Sequence, residues 1–409
     1  MKGITTLLLL GTMMMSAEFG FTQTWTQVNV ANTNWYSLAA SSDGSILYAS
    51  AGTTNGQIIY ASTNSGLTWN PTTLPFTNLD FQLAVSADGT KIFAGGALPG
   101  NTPIGSTNSN PLFLSTNSGL TWNSIFSAET NSISSVSMSA DGNTLMAGQY
   151  SRPCMIFIST NSGASWSTNP VSYLPQTLVT ANGKKMMAMV SSYILITTNA
   201  GVTWITNNLP GSGYSWNTIA ASPDGNILAA VGHIFLGGTA ICVSTNSGTT
   251  WANNVASFST YYASGAFAMS ADGSKMMAAS LGALFISTNR GMTWAQAAVP
   301  STNWSSVAFS ADGSKWTAAA QGVTAYTKAT GGIWIAQTTP SPQLNLTPAF
   351  TNLTFSWIMP STNLMLQQSS DLTSWVNVTN LPVLNLTNLH NQISLPPIGN
   401  SGFFRLKTP

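Results

Sequence analysis

The chain has 409 residues, a formal net charge of +1 and 5% charged residues, against roughly 25% in an ordinary soluble domain. With three arginines, Arg152, Arg290 and Arg405, and no basic stripe, it lacks the phosphate-neutralising surface that a nucleic-acid partner requires. Hydrophobic residues at 44% exclude a disordered chain, and the length fits one repeat array with a tail.

Residues 1–20 read MKGITTLLLLGTMMMSAEFG: one lysine, an apolar run from Ile4 to Met15, then small residues. This is the layout of a secretory signal peptide. A membrane span needs about 20 apolar residues, so the run is too short for an anchor. The expectation is a secreted or cell-surface protein with no membrane span in the mature chain.

Two phrases then alternate along the chain. The first is SADG and its variants, with turns at Asp43, Asp88, Asp141, Asn182, Asp224, Asp272 and Asp312, each followed by Gly. Successive turns lie 45, 53, 41, 42, 48 and 40 residues apart. The second is STNSGLTW and near copies, at Ser62–Trp69, Ser115–Trp122, Ser159–Trp166, Thr197–Trp204, Ser244–Trp251 and Ser287–Trp294, with a worn copy at Thr327–Trp334. A period of about 40–45 residues is that of a four-stranded propeller blade. In each unit strand a runs into the Asp-Gly hairpin, strand b follows, strand c leads into the second phrase, and strand d starts at its Trp. Strands a to c are almost continuously apolar, which predicts burial on both faces and makes the Met pairs core residues. TWTQVNV (24–30) also reads as a strand d, so either Trp25 or Trp334 completes the seventh blade. Cys154 and Cys242 fall in blades 3 and 5 and are expected to be buried free thiols.

STNSGLTW resembles the Asp-box, or BNR, repeat of sialidase-like propellers, with Asn at the Asp position in all six good copies. The resemblance covers roughly residues 24–337. It implies a structural turn at the blade periphery, away from any active site. It also implies that sialidase activity is absent. That activity needs three arginines, and the propeller has Arg152 and Arg290 only.

After TTPSPQ (338–343) the pattern changes to LTFSW, LMLQQSS, WVNVTN, PVLNLT, NQISLP and GFFRLK, six short strands of a small β-sandwich. With its LQQSSDLTSW and GFFRL phrases it resembles a short C-terminal module of many secreted bacterial proteins. The expected fold is all-β: a signal peptide (1–20), a seven-bladed propeller of four-stranded blades with Asp-box turns (21–337), a linker (338–343) and a β-sandwich (344–409).

Both phrases fall at one end of the propeller, so the variable d–a and b–c loops form the other. The longest b–c loop spans residues 95–111. Of the ten acidic residues, only Asp80 and Glu129 lie on the propeller outside the turns, in d–a loops of adjacent blades. Counted back from its turn, Asp80 matches Trp35, Trp216 and Trp304 of other blades. The two acids are the candidate carboxylate pair of a diverged glycoside hydrolase, with Arg152 and His233 as substrate-binding residues. The aromatic residues Trp35, Tyr36, Phe76, Tyr150, Tyr173, Tyr214, Phe258, Tyr261, Tyr262 and Trp304 suit sugar binding on the same loops, with Trp35, Trp216 and Trp304 reading rather as core. No metal cluster and no cofactor motif is visible. The leading expectation is a monomeric, non-catalytic module that binds a polysaccharide or an extracellular protein through Tyr36, Phe76, Tyr150, Arg152, Tyr173, Tyr214, His233, Tyr261 and Tyr262. The alternatives are the hydrolase and a structural cell-surface protein.

Overall fold

The computed structural model describes residues 25–28, 30, 34–53, 56–73, 80–97, 110–128, 132–150, 153–173, 175–211, 214–234, 239–254, 263–280, 282–322, 331–337, 344–348, 352–358, 364–385, 390–396 and 402–407. Among these residues every regular element is a β-strand. Sheet 1 is Asn34–Ala40, Leu47–Thr53, Gly56–Ser62 and Asn70–Pro71, hydrogen-bonded in that order as strands a to d. Five more four-stranded sheets repeat it in chain order, with strands a at Asp80–Val85, Ser132–Met138, Pro175–Val179, Tyr214–Ala221 and Ala263–Met269. Sheet 7 takes Asn303–Phe309, Lys315–Gln321 and Gly332–Gln337 as a to c, and Thr26–Gln27 from the start of the chain as d. Each strand a packs against the strands a of the two neighbouring sheets, and the cycle closes from sheet 7 to sheet 1. The sheets therefore stand around a common axis with strands a innermost.

Burial explains the apolar runs. Met186–Val190 is buried at every position, because each sheet is covered on both faces by its neighbours. Trp35, Trp216 and Trp304 lie in the inter-sheet clusters at 0%, 5% and 1% exposure. They are core residues, and truncating a buried tryptophan costs about 3–5 kcal/mol. Cys154 and Cys242 are free and buried as expected.

Of the two candidates for the last strand d, the N-terminal one closes the ring. Thr26 faces Ile335 and Gln27 faces Trp334. Trp334 itself faces Ala318 of strand b, so it lies in strand c and opens no strand d. Of the worn phrase before it, residues 327–330 lie outside the described residues.

The two phrases build one end of the ring. At each a–b turn glycine takes positive φ, +63° at Gly44 and +76° at Gly89. Asp43 Oδ1 accepts from Ser41 Oγ at 2.7 Å and from Ser45 N–H at 3.0 Å. In the c–d turn Asn64 Oδ1 accepts from Ser62 Oγ (3.0 Å) and Thr68 N–H (2.9 Å), and Asn64 Nδ2 donates to Thr68 Oγ1 (2.8 Å). With Asp there, the Thr hydroxyl would donate instead, as Thr90 Oγ1 does to Asp88, so either residue can hold the turn. A backbone bond then ties the two turns of a sheet together: Ser65 N–H to Ser45 O, Ser118 to Thr90 and Ser162 to Asn143, each 2.8 Å.

The C-terminal module has a four-stranded sheet, Asn345–Pro348, Leu353–Ile358, His390–Leu395 and Val383–Asn385, and a three-stranded one, Val376–Asn377, Met365–Ser369 and Phe403–Lys407. Both contribute to one core around Phe355, Trp357, Leu366, Ile393 and Leu395. Asn345–Pro348 is a strand beyond the six read from the sequence.

Candidate functional site

The two ends of the ring differ in kind. At the turn end, the residue before each turn Asp or Asn donates its N–H around the axis to the same position in the next sheet. Ser42 bonds Ala87 (2.9 Å), Ala87 bonds Ala140, Ala140 bonds Ala181 and Ala181 bonds the Pro223 carbonyl (2.8 Å each). Ala271 continues to Ala311 (2.8 Å) and Ala311 to Ser42 (2.6 Å). Pro223 has no N–H, so the circle opens only between sheets 5 and 6. Inside it lies an axial cavity of about 250 Å³, lined by these residues and by Val85, Met138, Met269 and Phe309. A second circle surrounds the first. The residue three places after each turn Asp or Asn lies over the turn glycine of the next sheet, as Ile46 does at Gly89 and Lys315 at Gly44. Where that residue is lysine, its ammonium crosses the junction: Lys91 Nζ to Asp141 O at 2.7 Å, Lys275 Nζ to Gly313 O at 2.7 Å.

Burial pushes the turn carboxyls of Asp43, Asp88, Asp141 and Asp272 upward. Bonds from the flanking hydroxyls and backbone N–H groups outweigh it, and all four lie below the usual carboxylate value. These acids are consumed by the turns they hold.

The loop end is built by the starts of strands a and the ends of strands b. Its register corrects the placement of Asp80. Ala51 follows Asp43 by eight residues and pairs with Trp35, whereas Gly96, which follows Asp88 by eight, pairs with Phe81. Phe81, fully buried, is therefore the counterpart of Trp35. The count from the turn misses this because strands a of sheets 1, 3, 5 and 7 carry a bulge near Tyr36, Ser134, Asn217 and Ser305 and that of sheet 2 does not. Asp80 opens a strand rather than lying in a loop. It pairs with Ala97, in line with Asn34–Gly52, Ser132–Tyr150, Ser215–His233 and Asn303–Gln321 of the bulged sheets. The position of Asp80 is thus filled by Asn or Ser in these other sheets, not by tryptophan.

Neutral polar pairs mark this end. Asn303 Nδ2 donates to Gln321 Oε1 at 2.9 Å, and Asn217 Nδ2 lies 3.1 Å from His233 Nδ1. His233 belongs to strand b, Leu228–Ile234, rather than to the loop after it. Tyr214, half-buried, meets Trp216 edge to face at 5.6 Å. Tyr36 is half-buried in strand a of sheet 1, beside Gly52. Tyr173 is 59% exposed in the connection between sheets 3 and 4. Tyr150 ends strand b of sheet 3. Phe76, Glu129, Arg152, Phe258, Tyr261, Tyr262 and most of the 95–111 loop lie outside the described residues. Among the described residues no group of three His, Cys, Asp or Glu could hold a metal ion.

The ring of sheets has counterparts among solved structures. YCF48 bound to D1 peptide is 18% identical with a TM-score of 0.52, over 78% of this chain and 97% of that one. YCF48 from Cyanidioschyzon merolae is 14% identical with a TM-score of 0.55, over 76% and 98%. U3-55K is 11% identical with a TM-score of 0.57, over 77% and 98%. The chain has a β-propeller fold. No protein-family model matches it, and no curated protein matches it by sequence. At these identities the likeness to the solved propellers is one of fold alone.

The backbone circle, the crossing lysines and the strand-a bulges of the propeller were not read from the sequence. The lysines had a signal, three residues after the turn Asp or Asn in four repeats. The bulges had none in the phrase count. The module hid another regularity: SSDLTSW (369–375) is a shortened copy of the c–d turn. Asp371 Oδ1 accepts from Ser369 Oγ, Thr373 N–H and Ser374 N–H, and Trp375 Nε1 donates to Leu372 O as Trp69 Nε1 does to Gly66 O.

Proposed function

We propose that this is an exported, monomeric, seven-bladed Asp-box propeller with a C-terminal β-sandwich, and that it binds a polysaccharide or an extracellular polypeptide, without catalysis, at the loop end of its axis. One observation carries the reading: the two ends of the inner strands are spent differently. The turn end is closed by backbone and side-chain bonds that the repeats make to one another. The chain also enters sheet 7 at Thr26 and leaves it at Gln337 on that end, beside Lys315. The loop end carries Asn34, Ser215, Asn303, Gln321 and His233, hydrogen-bonding groups beside tyrosines. Such a surface suits a ligand rich in hydroxyls or amides and short of charge. A propeller of similar fold, YCF48, is bound to a D1 peptide, and a polypeptide is kept beside the polysaccharide for that reason.

The register of Asp80 weighs against the hydrolase reading, since its position is filled by Asn or Ser in other sheets and is not the tryptophan position. The test is affinity capture of the purified protein on a panel of polysaccharides and unfolded polypeptides, with new reducing ends counted in parallel. Retention that falls at least about tenfold with Asn303→Ala plus Gln321→Ala supports the reading. Sugar release that vanishes in Asp80→Asn plus Glu129→Gln would replace it with a hydrolase.

A further inference from the structure

The junction between sheets 5 and 6 combines two features that no other junction has together. Pro223 breaks the backbone circle there. The residue over the next turn glycine is Ile227, whose Cγ2 lies 2.8 Å from the place a Cβ on Gly273 would take. At four other junctions that residue is a lysine which crosses to the next sheet: Lys91, Lys185, Lys275 and Lys315. At the junction of sheets 3 and 4 it is Thr144, and the facing turn residue is the neutral Asn182. Sheets 5 and 6 instead bring together two turn carboxylates, Asp224 and Asp272, with no lysine laid across them. Ile46 gives the junction of sheets 1 and 2 the same apolar cover, but there the circle is closed by Ser42 and Ala87.

A cavity of about 170 Å³ lies at this junction, lined by Ser222, Pro223, Asp224, Ile227, Ala271, Asp272 and His390. His390 comes from the C-terminal module. It opens the strand His390–Leu395 and pairs with Ile358, two places along from Ser356, which pairs with the first residue of the module's first strand, Asn345. His390 therefore sits at the end of the module where the linker enters. The chain leaves sheet 7 at Gln337, at the turn end, and the seven residues between Gln337 and Asn345 reach at most about 25–30 Å. Connection, charge and cavity agree. We propose that the junction of sheets 5 and 6 is the docking site of the chain's own C-terminal module, with His390 placed against Asp224 and Asp272 where other junctions place a lysine. The half-buried imidazole feels burial first and the opposing charge of Asp272 second. Lys185 near Asp224 and Lys275 near Asp272 are the other charges at this seam.

Hydrogen exchange of the full chain tests the docking. The amides of Asp224–Ile227 are compared with those of Asp43–Ile46, the like turn of sheet 1, in the same molecule. His390→Ala is expected to speed exchange at 224–227 by about tenfold and leave 43–46 unchanged. Ile227→Lys, which copies the other junctions, is expected to displace the module and lengthen the particle in solution scattering, whereas Ile46→Lys does neither. Equal exchange at 224–227 in wild type and His390→Ala, or an unchanged scattering profile in Ile227→Lys, would overturn the proposal. Protection at 224–227 that grows with protein concentration would also overturn it, by assigning the contact to a second copy. His390→Ala changes only the module's surface, so it decides the matter even if Ile227→Lys fails to fold.

Discussion

Lys315 in the last sheet donates from Nζ to Ser65 Oγ in the first, at 2.9 Å, across 250 positions of sequence. The same ammonium lies near Asp43 and Asp312, so one side chain spans the seam where the ring closes. Lys315→Met keeps the stem over Gly44 and removes the charge. The expected loss is about 1 kcal/mol, since the head is half-exposed. Thermal melts beside Lys184→Met, an exposed lysine of the same face, give the comparison; equal melting temperatures would refute a role in closure.

Gly89 combines a φ of +76° with Ile46 Cδ1 only 2.8 Å from a would-be Cβ. Gly89→Ala is expected to cost about 2–3 kcal/mol from strain and overpacking together. Ile46→Ala in the same chain should recover part of it. A double-mutant cycle in denaturant measures the coupling, and strict additivity would show that only the backbone matters.

Acid should unfold the propeller through its turns. The carboxyls of Asp43, Asp88, Asp141 and Asp272 lie below their ordinary value in the folded state despite burial, because hydroxyl and backbone donors hold the charged form. A depressed folded pKa stabilises the fold above the unfolded value, about 3.9, and that stability is lost as pH falls through the folded one. Stability is expected to be flat from pH 7 to about pH 5 and to fall below pH 4. Replacing Asp88 by Asn, the residue native at position 182, should flatten the acid limb. An unchanged limb in Asp88→Asn would assign the acid sensitivity elsewhere.

In the module, Asp371 accepts from the Thr373 and Ser374 amides. Asn fills the like role in the propeller, so Asp371→Asn should be nearly neutral at pH 7. Asp371→Ala should lower the module's stability by about 1–2 kcal/mol. The Trp375 indole N–H resonance, assigned by its loss in Trp375→Phe, follows the module's transition. A large loss in the Asn variant would mean the carboxylate itself is required.

Most of the architecture was legible because it is written seven times. Turn glycines, the Asn and Asp side chains and the apolar strands each follow from local chemistry, and repetition fixed their register. The ring closure was not legible, since Trp25 and Trp334 lead equally plausible strands and only tertiary pairing separates them. Asp80 was misaligned for a related reason. A bulge adds one residue without changing composition, so a count from the turn carries Asp80 onto Trp35 while the hydrogen bonds carry Phe81 there. Of the loop-end groups, which carry no phrase, His233 was legible as a candidate, whereas its contact with Asn217 and the Asn303–Gln321 pair had to be found in space.

Thr26 and Gln337 lie at the same end of two antiparallel neighbours, with Thr26 opposite Ile335. Force applied between the two ends of the propeller would therefore peel this strand pair one hydrogen bond at a time, the weakest way to load a sheet. Force applied between the loop end and the module would instead load the same strands lengthwise, so that their bonds share the strain and break together. The seam is thus strong against tension along the axis and weak against tension between its own two termini.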